Sequence, residues 1–354
     1  MLMLIFVFHE KIIVEHVAVY ELDLELGSYV RKAERESESN FGDIVDETQS
    51  MTTTLFLIGF TALLAVRLLA AARAPIMDCD ETFNYWEPLH YVLNGKGFQT
   101  WEYSPQFALR SYVYIELHAV VLRLLRVLPG SLASGTSAFF ALRQCLAVVC
   151  ATSEALFCRA VAGAFGTRAA ALLLIFLGAS SGMFHSGVAL LPSTTCMYGV
   201  LLGYAAWLSN RPRTGLLCGT FVVVLVWPIV APMFIPMGVH ALLTIGPVAV
   251  AGCAVFGLLA FGLVPALIDG YLYYGAGHPV WAVGNFLAYN AFGRGGGGQG
   301  ANLYGEEPWS FYPRNLLLNF NVLALLGLGS LAALLALPGA RTRKMHATLV
   351  LSGM

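Results

Sequence analysis

Charge is what this chain has least of. Only 12% of its 354 residues are Asp, Glu, Lys or Arg, while 58% are hydrophobic and the mean hydropathy is +0.70. A soluble globular domain carries about 25% charged residues. The scarcity excludes a soluble enzyme and points to a membrane protein. The formal net charge of -1 comes without a basic patch, so no nucleic-acid partner is expected. A cysteine framework is missing too. The seven cysteines form no CxxC pair, which supports neither a zinc site nor a redox motif. Cys145, Cys150, Cys158, Cys196, Cys218 and Cys253 lie in apolar runs, where a thiol is a small hydrophobe. Only Cys79 lies among acids. The N-terminus lacks a clear basic start and small-residue cleavage site, so it does not read as a signal peptide.

The few charges present are placed, not scattered. Residues 1–50 hold 11 acids and 4 Lys/Arg, whereas the remainder holds 10 acids and 16 Lys/Arg. Eight of those ten acids fall in two stretches. The first contains Asp78, Asp80, Glu81, Glu87 and Glu102; the second contains Asp269, Glu306 and Glu307. Glu116 and Glu154 alone lie inside apolar runs.

Residues 1–50 read as an N-terminal extension, disordered or upstream of a native start at Met51. Residues 51–354 read as an all-α polytopic membrane domain. Roughly 20 apolar residues cross a bilayer. The runs 53–72, 111–128, 137–158, 168–188, 192–209, 215–238, 243–267 and 314–337 predict eight spans, with another beginning at His346. Arg341, Arg343 and Lys344 place the segment 338–346 in the cytoplasm. With eight spans, the loops near 73–110 and 269–313 then both lie in the lumen, and Arg211 and Arg213 join them there against the positive-inside tendency. Pro192, Pro228, Pro232, Pro236 and Pro265 mark either ordinary kinks or broken helices lining a cavity. Gly295 to Gly298 is a flexible linker by composition.

The first loop, MDCDETFNYWEPLHYVLNGKGFQTWEYSPQFALR, is the most informative stretch. Charge concentrated beside a membrane marks a working site. Asp78 and Glu81 have the spacing of a capping box. On the helix that follows, Asp80, Asn84 and Glu87 share one face, and Phe83, Trp86 and His90 another. That pattern predicts a short interfacial helix, aromatic side down. Pro88 predicts a kink near Glu87, and Asn94-Gly95 a stop. Caps explain one or two of the five carboxylates, and an interfacial belt would explain Trp86, Trp101 and Tyr103. What remains suits sugar transfer from a lipid phosphate. Aromatic faces stack on sugar rings, a cation such as Arg110 or an interfacial His steadies the phosphate leaving group, and one carboxylate takes the acceptor's proton. A single displacement of this kind inverts the anomeric centre. Asp78, Asp80 and Glu81 all stand as candidates for the base. In the second loop Tyr304, Glu306, Glu307, Trp309, Phe311 and Tyr312 repeat the acid-and-aromatic mixture. On the same face as the first loop, that segment would close over a substrate.

The stretch DCDETFNYWEPLHYVLNGKGFQTWEYSPQFALRSYVY closely resembles the first lumenal loop of the endoplasmic-reticulum α-1,2-mannosyltransferases of asparagine-linked glycosylation, in glycosyltransferase family 22. Leu191-Pro192-Ser193, Met197-Tyr198, LYGEEPWSFY and Asn319-Phe320-Asn321 agree with it. The resemblance implies a GT-C helix bundle in the endoplasmic-reticulum membrane with a lumenal active site. It implies dolichyl-phosphate-mannose as donor and a dolichol-linked oligomannose as acceptor, with no metal. By the same resemblance the catalytic acid is Asp80, with Glu81 as second choice. Asp78, Tyr85, Trp86, Glu87, His90, Trp101, Glu102, Tyr103, Arg110, Tyr304, Glu307 and Trp309 are candidates to bind substrate. Family members continue through further spans and a His-Lys-Glu segment absent here, so an incomplete chain is expected. The alternatives are a sister enzyme of glycolipid-anchor assembly, an inactive membrane homologue, or a transporter, which would want ionisable groups inside its spans.

Overall fold

The computed structural model describes residues 53–127, 134–292 and 307–329, except Leu55, Ala276 and Leu323. Among the described residues every regular element is helical. In lipid, each backbone N–H and C=O must find its partner within its own segment, and a helix does this. The elements in order are α1 (Phe56–Arg73), α2 (a π-helical turn Glu81–Trp86 continued by Glu87–Asn94) and α3 (Tyr112–Val127). The long α4 (Gly135–Phe165), α5 (Thr167–Ala179) and α6 (Ser181–Ser186) follow. Next come α7 (Pro192–Leu208), α8 (Pro212–Val226), α9 (Pro228–Thr244), α10 (Gly246–Tyr274), α11 (Ala282–Phe292) and α12 (Phe311–Phe320).

Three of these, α1, α4 and α10, are long and apolar enough to cross a membrane, and α5, α8 and α9 are shorter apolar helices. Among the described residues, the eight spans expected from hydropathy are not confirmed. The run 168–188 is cut at Ser180, which turns extended and accepts the Met183 N–H on its hydroxyl. The run 215–238 is cut at Trp227, which is extended because Pro228 crowds a preceding helical residue. The run 243–267 continues as helix to Tyr274, so Asp269 lies inside α10 and not in a loop. There it is buried and accepts the Val113 N–H at 3.0 Å, tying α10 to the start of α3. Residues 1–50, the glycine tract 295–298 and the basic cluster 341–344 lie outside the described residues.

Helix α4 is the core strut, packed on α5 and α7, while α10 is almost wholly exposed along its apolar length. Helices α7 and α8 meet through glycine. A Cβ added at Gly199 would stand 2.2 Å from Val222 Cγ1. Small residues of this kind let helices approach closely where lipid supplies no hydrophobic drive. Glu154 is paired rather than free. Arg67 of α1 donates to it from Nε at 3.0 Å and Nη2 at 2.7 Å, and Nη2 also reaches the Leu177 carbonyl at 2.8 Å. Glu116 pairs with Arg123 on the same helix. Both acids inside apolar runs are thus held by arginine, and the ionisable groups that a transporter would expose are occupied.

Candidate active site

The site begins at Asp78, whose Oδ1 accepts the Asp80 N–H at 2.9 Å. Asp78 caps as expected, but the capping box does not close. Glu81 turns into the protein, 1% exposed, where it accepts the Leu190 N–H at 3.0 Å and faces Arg143 Nε at 3.6 Å. Burial raises its carboxyl above the usual range, against the lowering pull of that N–H and of Arg143. Glu81 is therefore not among the groups that line the cavity described below.

The kink expected at Pro88 takes the form of the π-helical turn. Pro88 has no N–H to offer the Asn84 carbonyl. The Glu87 N–H bonds to the Thr82 carbonyl, five residues back, and the Asn84 carbonyl accepts the buried Tyr103 hydroxyl at 2.6 Å instead. Single π turns of this sort recur at functional sites. Gly95 ends the helix as expected, at φ 71 with its N–H on the Tyr91 carbonyl.

Arg110 is the centre of the charge arrangement. Its Nε donates to Glu102, its Nη1 to the Tyr85 hydroxyl, and its Nη2 to Asp80 Oδ2 at 3.3 Å. The other Asp80 oxygen accepts Asn84 Nδ2 at 2.9 Å. Burial opposes the Arg110 charge, but Tyr85, Glu102 and Asp80 outweigh it and raise its pKa, so the guanidinium stays ionised. Burial raises the Tyr85 phenol more than Arg110 lowers it, so Tyr85 stays protonated. Ahead of Arg110, Ala108 adopts the left-handed φ of 43, and its carbonyl accepts Asn285 Nδ2 at 3.1 Å. That strained turn is held from outside the loop.

These groups open on a cavity of about 240 Å³. Asp78, Asp80, Tyr85 and Arg110 form one wall. Leu191, Pro192 and Ser193 at the start of α7 form another, and the α8–α9 break contributes Leu225 to Pro228. Pro192 and Pro228 thus mark broken helices that line a cavity, one of the two alternatives the prolines left open. Leu109, Ser111 and Tyr114, with Val283 and Phe286 of α11, complete the lining.

The contacts from the 269–313 stretch to the first loop come from helices α10 and α11, not from a loop. Tyr273 donates to the Arg110 carbonyl at 2.6 Å, Tyr274 to the Pro105 carbonyl at 2.5 Å, and Phe286 lies beneath the Arg110 guanidinium. Tyr289 packs on Trp101 and Phe107. Trp309 is 81% exposed and Glu307 is exposed, and neither lines the cavity. Tyr304 and Glu306 lie outside the described residues. Of the remaining candidates, Trp86 packs on Phe139, Glu87 accepts the Phe98 N–H, and His90 Nδ1 meets the Lys96 carbonyl. Helix α2 is docked on α4 by Trp86. Asn84, Tyr114, Trp227 and Phe286 were missed. An X-Pro step at Trp227-Pro228 was the available signal for one of them.

Asp78, Cys79 and Asp80 offer ligand atoms within 4.8 Å of one another. As donors they are already committed: Asp78 to the Asp80 N–H, and Asp80 to Asn84 and Arg110.

Comparison with known proteins bears on this arrangement. The model of the Alg9-like mannosyltransferase family matches residues 58–352. The chain belongs to that family. Within the family it is 41% identical over 265 residues to "Alpha-1,2-mannosyltransferase ALG9" of Mus musculus, covering 74% of this chain and 42% of that protein. It is 36% identical over 295 residues to the Arabidopsis thaliana protein of that name, covering 82% of this chain and 48% of the relative. The Saccharomyces cerevisiae protein is 36% identical over 270 residues, with 72% and 47% covered. This family member spans less than half the length of the curated relatives it matches. No solved structure matches it significantly.

Proposed function

We propose that this chain transfers mannose in α-1,2 linkage from dolichyl-phosphate-mannose to a dolichol-linked oligomannose, at the lumenal face of the endoplasmic-reticulum membrane. One observation carries the proposal. The Asp80 carboxylate is held at a cavity wall by Asn84 and Arg110 while its side chain stays 39% exposed. Asp80 is the base. The acceptor hydroxyl oxygen attacks the anomeric carbon of the donor sugar as its proton passes to Asp80. The bond from that carbon to the phosphate oxygen breaks, and its electron pair leaves with dolichyl phosphate. The new bond forms on the opposite face, with inversion. Arg110 lies beside the developing phosphate charge. The half-buried rings of Trp227 and Phe286 line the cavity and offer surface to the sugars and the lipid. The reaction needs no metal, because a lipid monophosphate leaves without one.

Microsomes from cells that rely on this chain alone test the proposal. Asp80→Asn is expected to abolish mannose transfer and accumulate under-mannosylated lipid-linked glycan at unchanged expression. Chelation with EDTA is expected to leave wild-type transfer unaltered. Retained transfer by Asp80→Asn removes Asp80 from the base role, and loss on chelation removes the metal-free mechanism.

A further inference from the structure

We propose that Asn84, locked by Thr100, is a positioning residue that sets the orientation of the Asp80 carboxylate. The inference rests on Asp80 as the reactive acid. Asn84 is 6% exposed, and its side-chain amide and its backbone carbonyl are all hydrogen-bonded. Its Nδ2 donates to Asp80 Oδ1 at 2.9 Å, its Oδ1 accepts Thr100 Oγ1 at 2.6 Å, and its carbonyl accepts Tyr103. A primary amide has a donor end and an acceptor end. Beside an anion only the NH₂ end is attractive, and the Thr100 hydroxyl fixes the other end. The amide can therefore present one orientation to Asp80.

Thr100 is itself fixed. It follows the segment from Gly95, which Glu87 holds through the Phe98 N–H, and precedes the turn Trp101–Tyr103. The relay runs from that segment through Thr100 and Asn84 to Asp80. It leaves Asp80 Oδ2 to Arg110 and the cavity. Unlike Arg110, the amide brings no charge. It steers the carboxylate without adding a cation that would favour ionisation over proton uptake. Around Asp80 the other titratable groups are Asp78 and Cys79 on its own segment, Arg110 with Glu102 and Tyr85 behind it, and Tyr114 from α3. The α7 and α8–α9 walls bring no titratable side chain to the cavity.

The test combines transfer kinetics in the same microsomes with carbodiimide labelling of Asp80, followed by mass spectrometry across pH in the purified full chain. Labelling reads the protonated carboxyl and needs no activity. Thr100→Val, isosteric but without the hydroxyl, is expected to lower kcat on the order of tenfold, with KM for donor and acceptor within about twofold. Thr100→Ser is expected to restore kcat. Asn84→Ala is expected to lose about 10- to 100-fold in kcat, as outer-shell deletions do. Asn84→Asp places a second anion against Asp80, so the labelling midpoint and the acid limb of the pH–rate profile are expected to move to higher pH. The proposal is overturned if Thr100→Val and Asn84→Ala keep wild-type kcat and labelling curves. An active Asp80→Asn variant removes the base assignment, and labelling then judges the positioning role by itself.

Discussion

Glu154→Gln puts the buried ion pair of α1 and α4 to a quantitative test. Both side chains are 0% exposed. Two charge-assisted hydrogen bonds join them, and the Leu177 carbonyl takes part of the remaining donor capacity. Glutamine keeps the volume and one acceptor but removes the negative charge, leaving the Arg67 guanidinium buried with only neutral partners. Hydrogen bonds to charged groups contribute about 1.5–3 kcal/mol each, so two of them set a loss near 3–6 kcal/mol. Breaking a buried pair from one side costs about 3–5 kcal/mol in proteins generally, so both estimates agree. At roughly 2–4 °C per kcal/mol for a chain of this order of length, the unfolding midpoint is expected to drop by on the order of 10 °C. The assay is thermal unfolding of the purified chain in mild detergent, with Arg67→Met/Glu154→Leu as the control. That double variant removes both charges and both desolvation costs, and is expected to recover most of the loss. If Glu154→Gln melts with the wild type, or the double variant melts below both single variants, the pair does not hold α1 to α4.

Two further outcomes follow from the packing and the buried acid. Gly199→Ala drives a methyl to within 2.2 Å of Val222 Cγ1, and overpacking of this kind costs about 1–3 kcal/mol. Val222→Ala in the same chain is expected to return the detergent unfolding midpoint toward wild type, and independent, additive losses would refute the contact. Glu81 has a folded-state pKa above its unfolded value, so the folded chain binds its proton more tightly. Its contribution to stability therefore falls as pH rises from the ordinary carboxylate range to the raised value. The stability difference between wild type and Glu81→Gln is expected to shrink across that window in denaturant titrations; a difference that grows with pH contradicts the buried placement.

The acidic loop was legible because its residues conflict with their surroundings. Five carboxylates beside apolar runs stand out in composition, so the position of the candidate site could be read from the sequence. Asp80 and Arg110 could be placed in one loop, but not in contact: they are thirty residues apart, and their meeting depends on the turn at Ala108. Asp78, Asp80 and Glu81 could not be ranked either, because adjacent acids look alike in one dimension. Folding separates them by sending Glu81 into the core against Arg143. The helix break at Ser180 was hidden inside a run whose hydropathy is uniform, since a lipid-facing residue and a cavity-facing residue are equally apolar, whereas Pro228 signalled the break at Trp227.

Composition alone pointed to a membrane protein, because so little charge cannot cover a soluble surface, and apolar runs of about 20 residues pointed to helices. The long first-loop motif alone determined its family. Only the tertiary structure decided which acid faces the cavity, which arginine is locked inside the bundle and which second-loop residues reach the first. Those outcomes depend on contacts between segments up to about 180 residues apart, whose energies are set by mutual burial and hydrogen bonding and have no local signature along the chain.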